Sequence, residues 1–316
     1  STAIRGTTAT IDYNDSAQSF SVSTSTGVID MDESSVGDEW NSGESMTVSL
    51  SDGDLNLNTA SDESIDFSST AIPTIVTGSP VSVTTANDAR VLEVTLSGNV
   101  VNLNALTGTA IALLDGMEVR ASVDVSDCTD ATGWILTADD DDNVIATDTS
   151  STSSVVAVTS ANLPAGAVDV DLNVIGASAT ATCNVAVDIM SFGSGENDAV
   201  YRLLLEETDD DTGVFEGAIE YIMLNQLNSD VAADLPEVTT NSDSITMVLA
   251  ADHTGTDAPR IKYSDIDSDG QSTSIADQAD ANTHNGVVSF DSANYKVADT
   301  VTVTVTDMDL NTDSDL

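Results

Sequence analysis

Three stretches carry carboxylates at a spacing that suits a cation. The sharpest is Asp265-Ile266-Asp267-Ser268-Asp269-Gly270. D-x-D-x-D-G places three carboxylates on one side of a tight turn, and glycine at the sixth position permits the bend. All-oxygen ligands suit Ca²⁺ or another hard divalent ion. The glutamate that closes a full EF-hand loop is missing: its place falls on Ala276, with Asp277 next, and no flanking helices are legible. The motif is EF-hand-like in its first half alone. The other two stretches are copies of one motif. Asp52, Asp54 and Asn56 lie in D-G-D-L-N, with Asp62 and Glu63 available to close a shell. Asp307, Asp309 and Asn311 lie in D-M-D-L-N, followed by Asp313 and Asp315. Read as extended chain, these acids alternate, so they face one way. For a single copy, Asp and Asn simply making a turn would suffice. For a repeated pattern in so acidic a chain, divalent-cation binding is the stronger expectation. The runs 139–142 and 209–211 are consecutive acids that point alternately apart, and they read as solvated loops.

Each D-x-D-L-N turn follows a strand. Thr47, Ser49 and Ser51 alternate with Met46, Val48 and Leu50; Thr302, Thr304 and Thr306 alternate with Val301, Val303 and Val305. Strict period-two alternation predicts half-buried strands. The copies align without gaps from Trp40 and Tyr295, and Gly27-Val28-Ile29-Asp30-Met31-Asp32 has its counterpart in Gly286-Val287-Val288-Ser289-Phe290-Asp291. A repeated unit of strand and carboxylate turn implies tandem modules. The expected fold is all-β, with tandem immunoglobulin-like β-sandwich domains. Residues 1–26 supply N-terminal strands of a preceding module. Residues 27–67 plus 199–284 form a sandwich carrying the first acidic turn. Residues 80–195 form a separate or inserted sandwich, with 68–84 as a polar crossing. Residues 285–316 begin a further module that looks truncated, so the molecule is expected to continue beyond Leu316. Short helices are expected only near Asn104–Leu114 and Ala276–Ala281. The central segment departs from a true immunoglobulin domain: Ala181 stands where a tyrosine corner would fall, and Trp134 is only six residues from Cys128.

Charge bounds the function. The chain has 54 acids against 7 bases in 316 residues, a formal net charge of −47. No basic footprint exists to neutralise phosphates, so nucleic acid is excluded as a partner. An anionic membrane surface is excluded for the same reason. No apolar run approaches the ~20 residues of a spanning helix. Self-repulsion must be offset, and cations of the medium are the available means; a plain solvated or halophilic surface is the competing account of the charge. Cys128 and Cys183 are the only cysteines. A disulfide between them is expected, and with it an oxidising, extracytoplasmic location. Asn14-Asp15-Ser16 is the one N-glycosylation sequon. Nucleophile-elbow, zincin, Walker and dinucleotide motifs are absent. His253 and His284 sit in polar loops, and Trp40 and Trp134 are few for a sugar-binding platform. The chain is read as no enzyme.

The repeated aromatic-x-x-[GA]-[DE]-[ST]-x-T-V-[ST]-x-[ST]-D-x-D-L-N resembles the surface-layer (S-layer) proteins of ammonia-oxidising archaea. Glu207 to Gly217, ETDDDTGVFEG, is similar to that family's acid-turn-T-G-x-F-x-G strand pair. The resemblance covers about 27–67, 199–265 and 285–316. It implies a large secreted chain of immunoglobulin-like modules that assembles with itself into a porous, cation-binding lattice on the cell surface. It also implies divalent cations as an aid to assembly, and ammonium as a cation that such a lattice passes or enriches. The alternatives are an adhesin or filament subunit built of calcium-stabilised modules, and a secreted polysaccharide-active enzyme.

Overall fold

The computed structural model describes residues 8–14, 16–21, 24–37, 39–67, 69, 71–83, 92–107, 111–113, 118–138, 143–158, 166–193, 196–223, 238–266 and 271–311. The chain is all-β, built of antiparallel sheets; among the described strands Val214–Met223 and Ser244–Leu249 pair in parallel. Among the described residues the α-helix is a single short one, Leu103–Thr107. No helix among the described residues is long and apolar enough to cross a membrane.

Three sheets enclose two cores. A nine-stranded sheet runs from Ser153–Ala157 through Glu118–Asp124, Thr182–Gly193, Glu196–Arg202, Thr74–Thr77 and Arg260–Ile266 to Ser272–Gln278. A six-stranded sheet, with Val28–Asp32, Met46–Ser51 and Val214–Met223 side by side, closes the first core over it. A four-stranded sheet centred on Gly133–Ala138 and Val170–Ile175 closes the second. The Thr182–Gly193 strand belongs to both cores. Its Cys183, Val185, Val187 and Ile189 pack into the second core; Ala186, Met190 and Phe192, on the opposite face, pack into the first. A strand buried on both faces has no polar side to give to solvent. Its one charge, Asp188, is accordingly paired: Arg202 Nε donates to Oδ2 at 2.8 Å and Nη2 to Oδ1 at 3.0 Å. The Cys128–Cys183 disulfide, with S–S 2.06 Å, lies in the second core.

Two expectations are revised. Residues 71–83 do pass from the first core to the second, but as sheet rather than as a polar linker: Thr74–Thr77 is a strand between Glu196–Arg202 and Arg260–Ile266, with Ile75 fully buried in it and Ile72 fully buried before it. The polar composition misleads because threonine is β-branched and fits a strand whose neighbours bond its backbone. Residues 276–281 are not helical: Ser272–Gln278 pairs antiparallel with Arg260–Ile266, Ile261 opposite Asp277.

The sequence repeat is a structural one. Val28–Asp32 pairs with Met46–Ser51, Val28 opposite Ser51; Val287–Phe290 pairs with Val303–Thr306, Val287 opposite Thr306. The two copies differ in cover. Ile29, Met31, Met46, Val48 and Leu50 are 0–4 % exposed, whereas their counterparts Val288, Phe290, Val301, Val303 and Val305 are 43–62 % exposed. A second solvent-exposed hairpin, Thr8–Tyr13 with Ser16–Ser21, carries Asn14 in its turn at φ 53°.

Candidate cation-binding pole

Both D-x-D-L-N stretches are turns, which corrects the expected extended edge. Asp52 Oδ1 accepts from the Asp54 amide at 2.9 Å, and the Leu55 amide reaches Asp52 O at 3.2 Å. In the second copy Asp307 Oδ1 accepts from the Asp309 amide at 3.1 Å, and Met308–Leu310 is one 3₁₀ turn. The carboxylate two residues upstream competes successfully for the free amide, so the first Asp of each copy shapes backbone. A glycine closes each hairpin against that carboxylate: a Cβ would stand 3.3 Å from Asp52 Oδ2 at Gly27, and 2.7 Å from Asp307 Oδ2 at Gly286.

Around the first turn the fold assembles acids from three distant segments. The Asp52 amide donates to Gly213 O at 2.8 Å, and Asn56 Nδ2 to Asp211 Oδ1 at 2.8 Å. Gly213, at φ +60°, brings its turn so close that a Cβ would lie 3.0 Å from Gly53 Cα. Glu207 holds that turn: Oε1 accepts from the amides of Gly213 at 2.7 Å and Thr212 at 3.0 Å, and Oε2 from that of Glu63 at 3.2 Å. These bonds, led by the one from Gly213, hold its carboxyl below the usual range. Glu63 in turn accepts from the Leu57 amide at 3.2 Å, so it closes its own loop, and Asp62 is exposed. Neither is turned to cap Asp52.

The third segment is the Arg260–Ile266 strand. Tyr263 Oη donates a short hydrogen bond to Asp52 Oδ2, and Ser25 Oγ donates to Oδ1 at 3.1 Å. Two residues on, Asp265 Oδ2 accepts from the Gly27 amide at 3.3 Å, while Oδ1 accepts no hydrogen bond. Burial pushes the Asp265 carboxyl up, and the charges of Asp52 and Asp54 push it further. Of the EF-hand-like stretch, residues 267–270 lie outside the described residues, and Asp265 is a strand residue opposite Thr273. Asp277, at the far end of the hairpin, accepts from the Met31 amide at 2.8 Å. Asp267, Asp269, Asp313 and Asp315 lie outside the described residues. Among the described residues no group of three or more Asp, Glu, His or Cys side chains is arranged so that it could hold a metal ion.

The second turn sits at a joint. Asp309 is buried; its Oδ2 accepts from the His284 amide at 2.9 Å, and Ser42 Oγ donates to Asn311 O at 2.8 Å. Tyr221 Oη lies 3.0 Å from both Trp40 O and Asn282 O. Burial raises the Tyr221 phenol, and the charges of Asp309 and Glu39 raise it further. The second hairpin is thus docked end-on against the first sandwich. Sequence reasoning placed the acids but missed Tyr263, Ser25, Ser42 and the His284 amide. The available signal was the matched pair Gly27 and Gly286, which marks a close approach in both copies.

No protein-family model matches the chain, and no curated protein sequence matches it.

Proposed function

We propose that the chain is a structural segment of a surface layer. In this reading it is secreted, built of tandem immunoglobulin-like modules, and assembles with itself into an acidic lattice that divalent cations stabilise. The observation that carries it is the joint: a repeated hairpin docks on the preceding sandwich through its own acidic turn, with Asp309 buried at the contact. Modules joined this way concentrate carboxylates where they meet, and a net charge of −47 makes any close array of copies dependent on cations. The disulfide supports an oxidising compartment. Asn14, exposed in its turn, is open to glycosylation. Fields of several kT at acidic pores would enrich Ca²⁺ and small cations such as ammonium, and repel anions. Both tryptophans are core residues, Trp40 edge-on to Tyr221 at 4.7 Å, so neither offers a sugar platform.

A filament subunit is the second reading. The exposed apolar face of Val288, Phe290, Val303 and Val305 favours it, because an uncovered apolar sheet face packs against a neighbouring chain. The test is electron microscopy of the purified chain in chelator and across a Ca²⁺ titration at fixed ionic strength. Planar sheets support the lattice, and axial polymers support the filament. Dispersed particles at every Ca²⁺ level, matching monovalent salt, would sink both.

A further inference from the structure

We propose that two copies of this chain join head to tail, the hairpin of Thr8–Tyr13 and Ser16–Ser21 in one packing on the hairpin of Val287–Phe290 and Val303–Thr306 in the other. The contact deepens the self-assembly reading above, gives it a surface, and needs no cation.

The chain contains the template for this contact. In the first sandwich the hairpin of Arg260–Ile266 and Ser272–Gln278 lies against Val28–Asp32. Ile261 and Tyr263 share one core with Ile29, Met31, Val48 and Leu50. Tyr263 Oη donates to Asp52 Oδ2, the Gly27 amide donates to Asp265 Oδ2 at 3.3 Å, and the Met31 amide donates to Asp277 Oδ2 at 2.8 Å. A Cβ at Gly27 would stand 2.7 Å from Tyr263 Cε1, so glycine is what admits the ring. The covering hairpin thus presents an I-x-Y-x-D strand. The covered hairpin answers with a glycine, an apolar face and the first acid of its turn.

Both halves recur, and among the described residues each recurs alone. The covered half is Gly286 to Asp307, in the same register as the first copy. Its Val288, Phe290, Val303 and Val305 are 54–62 % exposed. The covering half recurs in sequence as Ile11-Asp12-Tyr13-Asn14-Asp15, which keeps the Ile, Tyr and Asp of Ile261-Lys262-Tyr263-Ser264-Asp265 at the same spacing. Each of these strands opens an antiparallel hairpin, and each hairpin precedes a Gly-Val pair, Gly27-Val28 or Gly286-Val287. Ala9, Ile11 and Tyr13 alternate onto one face, with Phe20 opposite Ala9; on the other face Thr10 Oγ1 and Ser19 Oγ share a hydrogen bond at 2.8 Å. The apolar face is bare: Ile11 is 65 %, Tyr13 82 % and Phe20 53 % exposed. Two bare apolar faces, matching the two sides of one packed pair, are each other's cover. Stacked as in the template, Tyr13 of one copy reaches Asp307 of the next beside Gly286, as Tyr263 reaches Asp52 beside Gly27. The two patches differ, so the contact is heterologous and propagates rows of copies rather than closing a two-fold dimer. Rows are a component that a sheet and a filament share.

The experiment is sedimentation velocity of the full chain over a concentration series, in chelator and about 1 M NaCl, where charge repulsion is screened within about 3 Å. Chelator separates this contact from the cation-driven lattice, whose Ca²⁺ titration can fail independently. Wild type should grow in mass with concentration. Ile11→Asp and Phe290→Asp, each on an exposed hairpin outside both cores, should each stay monomeric. An equimolar mixture of the two variants retains one intact seam and should stop at a one-to-one pair. Tyr13→Phe should weaken association about tenfold, and wild-type affinity there would overturn the matched register. Wild type that is monomeric at every concentration overturns the contact, as does a mixture that stays monomeric. Association that survives Ile11→Asp or Phe290→Asp alone overturns this seam and leaves self-assembly through another surface.

Discussion

Replacing Asp188 by alanine should destabilise the chain by about 3–5 kcal/mol. Asp188 and Arg202 are each 1 % exposed at the side chain and meet through two hydrogen bonds, 2.8 and 3.0 Å. Ser82 Oγ adds a bond to Asp188 Oδ1 at 2.5 Å, and Phe67 faces the guanidinium at 6.0 Å. The Arg202 side chain is enclosed on all sides, so removing its partner leaves the guanidinium buried. The loss is that of an uncompensated buried charge, not of the pair itself. Asp188→Leu with Arg202→Met should therefore cost less than Asp188→Ala alone. Urea denaturation is the assay, since it does not screen charge. Trp40 lies in the first core and Trp134 in the second, so single-tryptophan variants report each core separately. Because Asp188 sits on the strand common to both cores, both probes should shift together. A loss under about 1 kcal/mol, or a double variant worse than the single one, would refute the argument that desolvation dominates here.

Other outcomes follow from the same geometry. Replacing both Cys128 and Cys183 by serine opens a loop of sequence separation 55 and should cost up to about 4 kcal/mol, read as a Tm that no longer responds to reductant. Gly213→Ala must place a side chain at φ +60° against Gly53, and should cost about 1–2 kcal/mol by urea denaturation. Burial raises the carboxyls of Asp265 and Asp124. Each binds its proton more tightly folded than unfolded, so its contribution is complete below the ordinary carboxylate pKa of about 4 and lost as pH rises through the raised value. In chelator, Asp265→Asn should then flatten the decline in stability above about pH 4; an unchanged slope would show that the acid is not buried as a charge. Asp148 and Asp291, lowered by hydrogen bonds from Ser150 and Tyr295, act oppositely, losing stability as pH falls. Comparing variant with wild type cancels that part.

Local pattern determined much of this protein. Alternation of Met46, Val48 and Leu50 with hydroxyl residues predicts a strand with one buried face, because side chains alternate across a strand whatever lies beyond it. The repeat of glycine, strand and acidic turn predicts two like hairpins, and both have the same register. Two cysteines in a β-rich segment of acidic composition predict the disulfide. The tertiary structure decided which faces are covered. Val303 and Val48 follow the same pattern, yet one is 54 % exposed and the other fully buried, because among the described residues the nine-stranded sheet packs on the face of the first copy alone. It also decided what the acids do. Glu63 and Glu207 fix turns, Asp309 is buried at a joint, and Asp52 meets Asp265 across Gly27. Asp52 and Asp265 are more than two hundred residues apart, and no local period encodes their meeting. Only the packing of the six-stranded sheet on the nine-stranded one brings them together, because that packing buries the apolar faces and carries the strand ends, with their charges, to one pole.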